Sequence, residues 1–362
     1  MAVVYILVAV AVLCFMITVH ELGHYLAAKA LKFRVNEFAI GFGKALFKYK
    51  KKNGEVISIR MVPLGGFCSF EGEDEAGSPG ADHSAARAVA PDGTEYTPFS
   101  KMAPWKRLVV LFCGPFANFI CAIVFSFILM MAIGYHQEVK VTEMNPASHY
   151  ATVLKSDDVL VGINGKKFTL LKNYQSRTGE FGLNEEFSFM VMRDGNLIDV
   201  TVAKHEIIQK DGVKKWSVGI EDGEISYVKL GFGAALGKAF KFSLELAWLV
   251  LSFLGKMVTG QVALSQMGGT FATISVLSQS VSYGMINLLI MIPLISANLA
   301  IFNLLPIPAL DGARMVFVFI EWIRGKPINR ELENKIHMVG LIVLFGLILF
   351  LDLNYLIFQK IF

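Results

Sequence analysis

The chain carries His20-Glu21-Leu22-Gly23-His24 directly behind an apolar run over residues 2–19, and that junction limits the folds open to it. An apolar run of this length is what a helix needs to cross a bilayer. On a helix, positions i and i+4 share a face, so His20 and His24 can turn both imidazoles toward one metal ion. Glu21 is placed to accept a proton from a water activated there. This is the minimum equipment of a zinc hydrolase, set in a helix that reads as living in lipid.

Composition extends the constraint to the whole chain. Hydrophobic residues make up 54% of the 362 residues and charged ones 18%, and mean hydropathy is +0.53. Several membrane spans fit that balance and a water-soluble globule does not. The net charge of +4 is small, and no basic patch interleaved with aromatics points to nucleic acid, so no nucleic-acid partner is expected. Cys14, Cys68, Cys113 and Cys121 lie in or beside apolar stretches, with no C-x-x-C pair. They read as buried free thiols rather than a disulfide framework or a cysteine zinc site. The N-terminal run has no basic leader and no A-x-A-like cleavage site, and reads as a retained span.

Hydropathy and turn chemistry divide the chain into segments. Residues 1–36 form a first transmembrane helix. Residues 37–70 read as a β-hairpin, with Asn53-Gly54 as a two-residue turn whose central positions both favour positive φ. Residues 71–104 are polar, rich in Gly, Ala, Pro and acidic side chains, and read as a flexible loop. A second transmembrane helix, 105–135, contains Gly114-Pro115-Phe116-Ala117-Asn118. A proline and an asparagine would be costly against lipid, so this part faces protein, as a packing kink with an interhelical hydrogen bond or as part of the chemistry. Residues 136–224 form one compact β-rich module of soluble character. Residues 225–282 read as juxtamembrane amphipathic helices, and 242–258 is either a span or a helix on the membrane surface. A third transmembrane helix, 283–312, ends on Leu310-Asp311-Gly312. A cytoplasmic loop, 313–337, leads to a fourth transmembrane helix, 338–362.

Charge orients these segments. Lys29, Lys32 and Arg34 follow the first span, Lys101, Lys106 and Arg107 precede the second, and Arg314, Arg324, Lys326, Arg330 and Lys335 follow the third. The positive-inside rule puts these ends in the cytoplasm, and the N-terminus and the β-rich module outside.

A hydrolytic zinc site usually takes three protein ligands and a water. The best candidate for the third is Asp311, an isolated acid at the end of an apolar span, with Gly312 to let the backbone turn closely. The alternative is an Asp that caps the next helix. Topology favours the ligand. With four spans, His20, His24 and Asp311 reach the same side, whereas a crossing by 242–258 would deliver Asp311 to the other, so 242–258 is expected not to cross. His20, His24 and Asp311 are then the metal ligands and Glu21 the general base. Asn303 offers a hydrogen bond to substrate backbone or oxyanion, or else an interhelical one. The expected substrate is a segment of a membrane protein, locally unwound. It would pair by strand addition with the hairpin edge at Ile57 and Ile59.

These residues resemble the site-2 protease family of intramembrane metalloproteases, in its bacterial RseP-like branch. The marks are His20-Glu21-Leu22-Gly23-His24, Gly41-Phe42-Gly43, Pro63-Leu64-Gly65-Gly66-Phe67, Gly114-Pro115-Phe116-Ala117-Asn118, and the run from Asn303 through Pro306-Ile307-Pro308-Ala309-Leu310 to Asp311-Gly312. The resemblance implies a polytopic α-helical membrane protein of four transmembrane helices, with a membrane-reentrant β-hairpin and a single inserted, extracytoplasmic PDZ-like domain. Asn145-Pro146-Ala147 and residues 157–165 look like the signature of that domain, which is expected to act as a size filter. It also implies Zn2+ as cofactor, Gly65 and Gly66 among the substrate-binding positions, and a place in the bacterial plasma membrane with the lipid bilayer as partner. The implied activity is regulated intramembrane proteolysis of single-pass proteins already cut by another protease, anti-sigma factors among them, or of remnant signal peptides. Where many relatives continue Leu-Asp-Gly with Gly-His, this chain has Ala313-Arg314, a change that touches no proposed ligand. Two other classes compete. An inactive zinc-bearing scaffold would have no need of Glu21, and a metal transporter would carry ionisable groups along several spans.

Overall fold

The computed structural model describes residues 2–73, 88–89, 93, 95–208, 212–262 and 268–358. Its contacts divide the chain into two units, Met1–Ser126 with Lys241–Phe362, and Phe127–Phe240.

The first unit opens with α1 (Ala2–Ala30), apolar along its length until His20. It closes where Lys32 takes φ 63°: Phe33 N donates to Ala28 O and Leu31 N to Ala27 O, which satisfies the last carbonyls. Strands β1 (Val35–Lys50) and β2 (Val56–Phe70) follow. Each bends on itself, so the expected hairpin is a small sheet of four limbs. Residues 37–40 have partners on both sides, Ser69 to Gly66 on one and Val56 to Ile59 on the other, and residues 56–60 pair in turn with 45–50. The reversals fall at glycines with positive φ, Gly41 (89°), Gly43 (83°) and Gly65 (147°). At Gly65 a side chain would strike the Phe42 ring.

The tip also differs from the expected two-residue turn. Gly54 N donates to Lys51 O, Lys51 N to Glu55 O, and only Gly54 has positive φ. This is a three-residue loop with a left-handed glycine, favoured here because Asn53 Oδ1 accepts from Glu55 N. Two short strands, β3 (Ala88–Val89) and β4 (Glu95–Tyr96), pair antiparallel within the expected flexible loop. Of that loop, residues 74–87, 90–92 and 94 lie outside the described residues. Helix α2 (Pro104–Ala132) completes this part, with Pro115 inside it.

The second unit is a sheet around its own core. Strands β5 (His136–Met144), β6 (Val159–Ile163), β7 (Lys166–Lys167), β8 (Glu186–Arg193), β9 (Asn196–Ala203) and β12 (Ile220–Val228) form it in the order β12-β5-β6-β8-β9, with β7 beside β6. Strands β8 and β9 alternate buried and exposed residues, placing Phe187, Phe189, Val191, Val200 and Val202 in the core with Leu160 and Phe168. Helix α3 (Tyr174–Gly179) is capped by Asn173, whose side chain accepts from Ser176 N. Strands β10 (His205–Ile208) and β11 (Lys214–Ser217) make a separate pair. Buried Asp158 is held by Arg193, Nε at 2.7 Å and Nη2 at 2.6 Å.

Helix α4 (Phe232–Val258) returns the chain to the first unit, which continues with α5 (Thr270–Ser282), α6 (Met285–Leu304), α7 (Asp311–Arg324) and α8 (Arg330–Phe358). The segment expected as a cytoplasmic loop over 313–337 therefore contains a helix, α7, and α8 starts before the expected residue 338. Helix α7 buries Ala313 and Val318 and leaves Val316, Phe319, Trp322 and Ile323 exposed, the stripe of an amphipathic helix. Among the described residues, four helices are long and apolar enough to cross a membrane, at Val3–Ala30, Pro104–Ala132, Met285–Leu304 and Glu331–Ile357.

Candidate metal centre

Helix α1 brings His20 and His24 onto one face, and α2 lies against that face at small residues. A side chain at Gly23 would strike Cys113 O, and one at Gly114 would strike the His24 ring. The His24 imidazole therefore occupies the space that any larger residue at 114 would fill.

Asp311 arrives from the start of α7. The residue at the capping position is Leu310, with no side-chain cap, so the Asp311 carboxylate is free to turn elsewhere. It meets the histidines: Oδ2 lies 3.0 Å from His20 Nε2 and 3.3 Å from His24 Nε2. The two Nε2 atoms are 3.2 Å apart. Ligand atoms of a tetrahedral zinc with bonds of about 2.0–2.1 Å lie about 3.3–3.4 Å from one another. Three donor atoms at these separations, with both histidines buried, fit one cation. Asp311 Oδ2 is buried without a well-directed hydrogen bond among the described residues, which leaves it to a cation.

The turn that delivers Asp311 is made at Ala309, which takes φ 82°, and not at Gly312 as expected from the sequence. Gly312 instead allows close contact with the carbonyls of Leu304 and Leu305. Ala309 N donates to His337 Nδ1 at 3.1 Å, and Pro308 packs where Gly340 leaves room on α8. Neither His337 nor Gly340 stands out in the sequence, where each is one residue on an apolar helix.

Glu21 sits beside the three donors and accepts from the Cys68 amide. Its neighbour in β2 is Gly66, where a side chain would press on Glu21 Cγ and on Ala39 O. Residues 66–70 thus run past Glu21 as one outer limb of the sheet. Ile57 and Ile59 do not. Ile57 pairs with both Phe38 and Tyr49, and Ile59 with both Ile40 and Phe47. Their backbone is already paired on both sides, which overturns the expectation that a substrate strand adds there. Asn303 is turned back on its own helix, its Nδ2 donating to Leu299 O at 3.0 Å rather than to a neighbouring helix.

The sheet is anchored to α1 one residue beyond His24. Tyr25 Oη donates to Glu55 Oε1 at 2.8 Å and Lys51 Nζ to the same oxygen at 2.7 Å, while Lys29 pairs with Oε2. Burial pushes the Glu55 carboxyl up, but the hydrogen bonds from Lys29, Lys51 and Tyr25 outweigh it and hold the pKa down at about 2.

The model of peptidase family M50 matches residues 8–347. A Fusobacterium nucleatum protein, FN1322, is 30% identical over 354 residues, covering 96% of this chain and 97% of its own. The regulator of sigma-W protease RasP of Bacillus subtilis is 29% identical, with 92% and 94% covered. The zinc metalloprotease RasP of Oceanobacillus iheyensis is 27% identical, with 94% and 95% covered.

Proposed function

The chain belongs to peptidase family M50, the site-2 proteases, and from that premise we propose that His20, His24 and Asp311 hold its zinc while Glu21 moves the protons of peptide hydrolysis. As a member it is a zinc metalloprotease of the bacterial membrane. The observation that carries the assignment is the convergence of two imidazole nitrogens and one carboxylate oxygen, from opposite ends of the sequence, within 4.8 Å of one another.

Zinc, when bound, supplies Lewis acidity, making a water acidic near neutral pH and polarising a carbonyl. The remaining work falls to the chain. Glu21 takes a proton from the attacking water on its carboxylate and later gives it to the leaving amine. The Cys68 amide keeps that carboxylate oriented. The outer limb at residues 66–70 offers an open edge, and an extended substrate added there would run beside Glu21. Gly65 and Gly66 keep this edge free of side chains.

The substrates in this reading are single-pass membrane proteins, anti-sigma factors or remnant signal peptides, trimmed beforehand by another protease. The RasP relatives, one named as a regulator of sigma-W, support it. The basic residues flanking α1, α2 and α7 support an active centre toward the cytoplasm, with the N-terminus and the sheet unit outside. A small sheet with a short capped helix around one core supports a PDZ-like role for that unit.

The test compares wild type with Glu21→Gln for bound zinc and for cleavage of a reporter transmembrane substrate. Cleavage is lost and zinc stays. Equal cutting by both proteins would remove the mechanism.

A further inference from the structure

We propose that Asn118 is the positioning residue that fixes His20 in the tautomer able to ligate zinc. This rests on the reading of His20, His24 and Asp311 as zinc ligands.

An imidazole binds a metal through a ring nitrogen with a free lone pair, so the proton must reside on the other nitrogen, and something must accept it. For His24 that requirement is met by main chain. His24 Nδ1 lies 2.9 Å from Val110 O. A carbonyl only accepts, so Nδ1 carries the proton and Nε2 is left with its lone pair toward Asp311.

His20 has a different partner. Two turns along the same helix, the Asn118 side-chain amide lies 3.5 Å from His20 Nδ1. Asn118 is fully buried. Its main-chain oxygen accepts from buried Ser296 of α6 at 2.7 Å, which ties down the α2 backbone at this position. Its Oδ1 is buried with no hydrogen-bond partner among the described residues.

The two faces of the amide have opposite consequences for His20. With nitrogen toward the ring, Nδ1 must accept, and the proton moves to Nε2, where it blocks the metal. With the amide turned by 180°, which leaves its outline unchanged, Oδ1 accepts from Nδ1–H and Nε2 is freed for zinc. The second arrangement makes both histidines alike, each with its proton drawn toward α2 and its lone pair toward Asp311. An amide supplies this acceptor without adding a negative charge at membrane depth.

The experiment uses the full-length protein in detergent and measures zinc affinity by chelator competition. Nitrogen-15 spectra of its histidines report which nitrogen carries the proton. Asn118→Leu keeps the shape and loses the acceptor. It is expected to weaken zinc by about 10–100-fold, the usual cost of losing a partner of a ligating histidine, and to move the His20 proton to Nε2. Asn118→Asp can accept but not donate, and is expected to keep zinc affinity close to wild type with the His20 proton on Nδ1. This variant decides the matter even if the leucine protein folds poorly. An aspartate protein that loses zinc as the leucine protein does, or a folded leucine protein that binds zinc as wild type does, would overturn the assignment of Asn118. Wild type that takes up no zinc, as His24→Ala should not, would overturn the metal assignment beneath it instead.

Discussion

Arg107 of α2 and Glu321 of α7 are joined by two hydrogen bonds, Nη2 to Oε1 at 2.6 Å and Nη1 to Oε2 at 3.2 Å. The guanidinium is almost wholly buried. The pair holds the helix that begins with Asp311 against the helix that lines His24. Glu321→Gln leaves a buried cation with a weaker partner, and is expected to cost about 3 kcal/mol of stability. Zinc affinity should fall with it, because α7 carries the third ligand. Thermal unfolding and chelator competition on the same sample check both effects. Arg107→Lys should not restore them, since an ammonium cannot make the two parallel bonds.

Removing ligands separates metal loss from proton transfer. His24→Ala and Asp311→Asn should both lower bound zinc, as each takes away one of three converging donors. Glu21→Gln should keep zinc and lose turnover by a factor of at least about 100, the lower range for a general base. Metal analysis beside single-turnover cleavage distinguishes the two patterns. Zinc lost from Glu21→Gln would argue that Glu21 is itself a ligand.

The Glu55 anchor sets a pH dependence. Its pKa falls from 4.5 to about 2 on folding. A carboxylate depressed in this way contributes its full stability above the unfolded value and loses it as pH falls through the folded one. Attachment of the sheet tip to α1 should therefore hold at neutral pH and weaken between about pH 4.5 and 2. Hydrogen exchange of the amides around Lys51 and Glu55 follows it, and Glu55→Gln should exchange faster at neutral pH and show little further acid response.

Much of the centre was legible because its chemistry is local or isolated. His20 and His24 share a face by spacing alone, and Asp311 stands out as an acid closing an apolar stretch. What was not legible depends on tertiary contact. The four-limbed sheet exists because Gly41, Gly43 and Gly65 reverse the chain inside what reads as two strands. That same folding pairs the backbone at Ile57 and Ile59 with a limb on each side, so their alternation gave a true strand and a false edge. Helix α7 was hidden because its charges, Arg314 and Arg324, drew the reading toward topology and away from its apolar stripe. Ala309 gives no sign in sequence that it will adopt positive φ, since that backbone is imposed by His337 and the close packing of Pro308 on Gly340.

Ala309 gives a test of that imposed turn. A left-handed alanine costs about 1–2 kcal/mol, a strain that glycine does not carry. His337→Phe removes the acceptor for Ala309 N and should destabilise the protein by about 1–3 kcal/mol while lowering zinc affinity. Ala309→Gly in that background should recover part of the stability but not the affinity, because it relaxes the turn without restoring what holds it. Full recovery of zinc binding would assign the loss to strain alone.

The open edge beside Glu21 makes the last prediction. In a sheet, alternate amides of an outer limb point away from the neighbouring strand. Along residues 66–70 the amides of Cys68 and Phe70 do so, one donating to Glu21 and the other to Glu73 at 3.2 Å. By the same alternation Gly66 presents its N–H outward, next to the general base, where a substrate carbonyl could take it. The limb at 45–50 is also an outer one, but it does not pass Glu21. Binding of a substrate peptide to the Glu21→Gln protein should therefore slow hydrogen exchange at Gly66 and leave residues 45–50 unchanged. Protection confined to 45–50 would place the substrate on the far side of the sheet, too distant from the general base for the strand-addition geometry to serve cleavage.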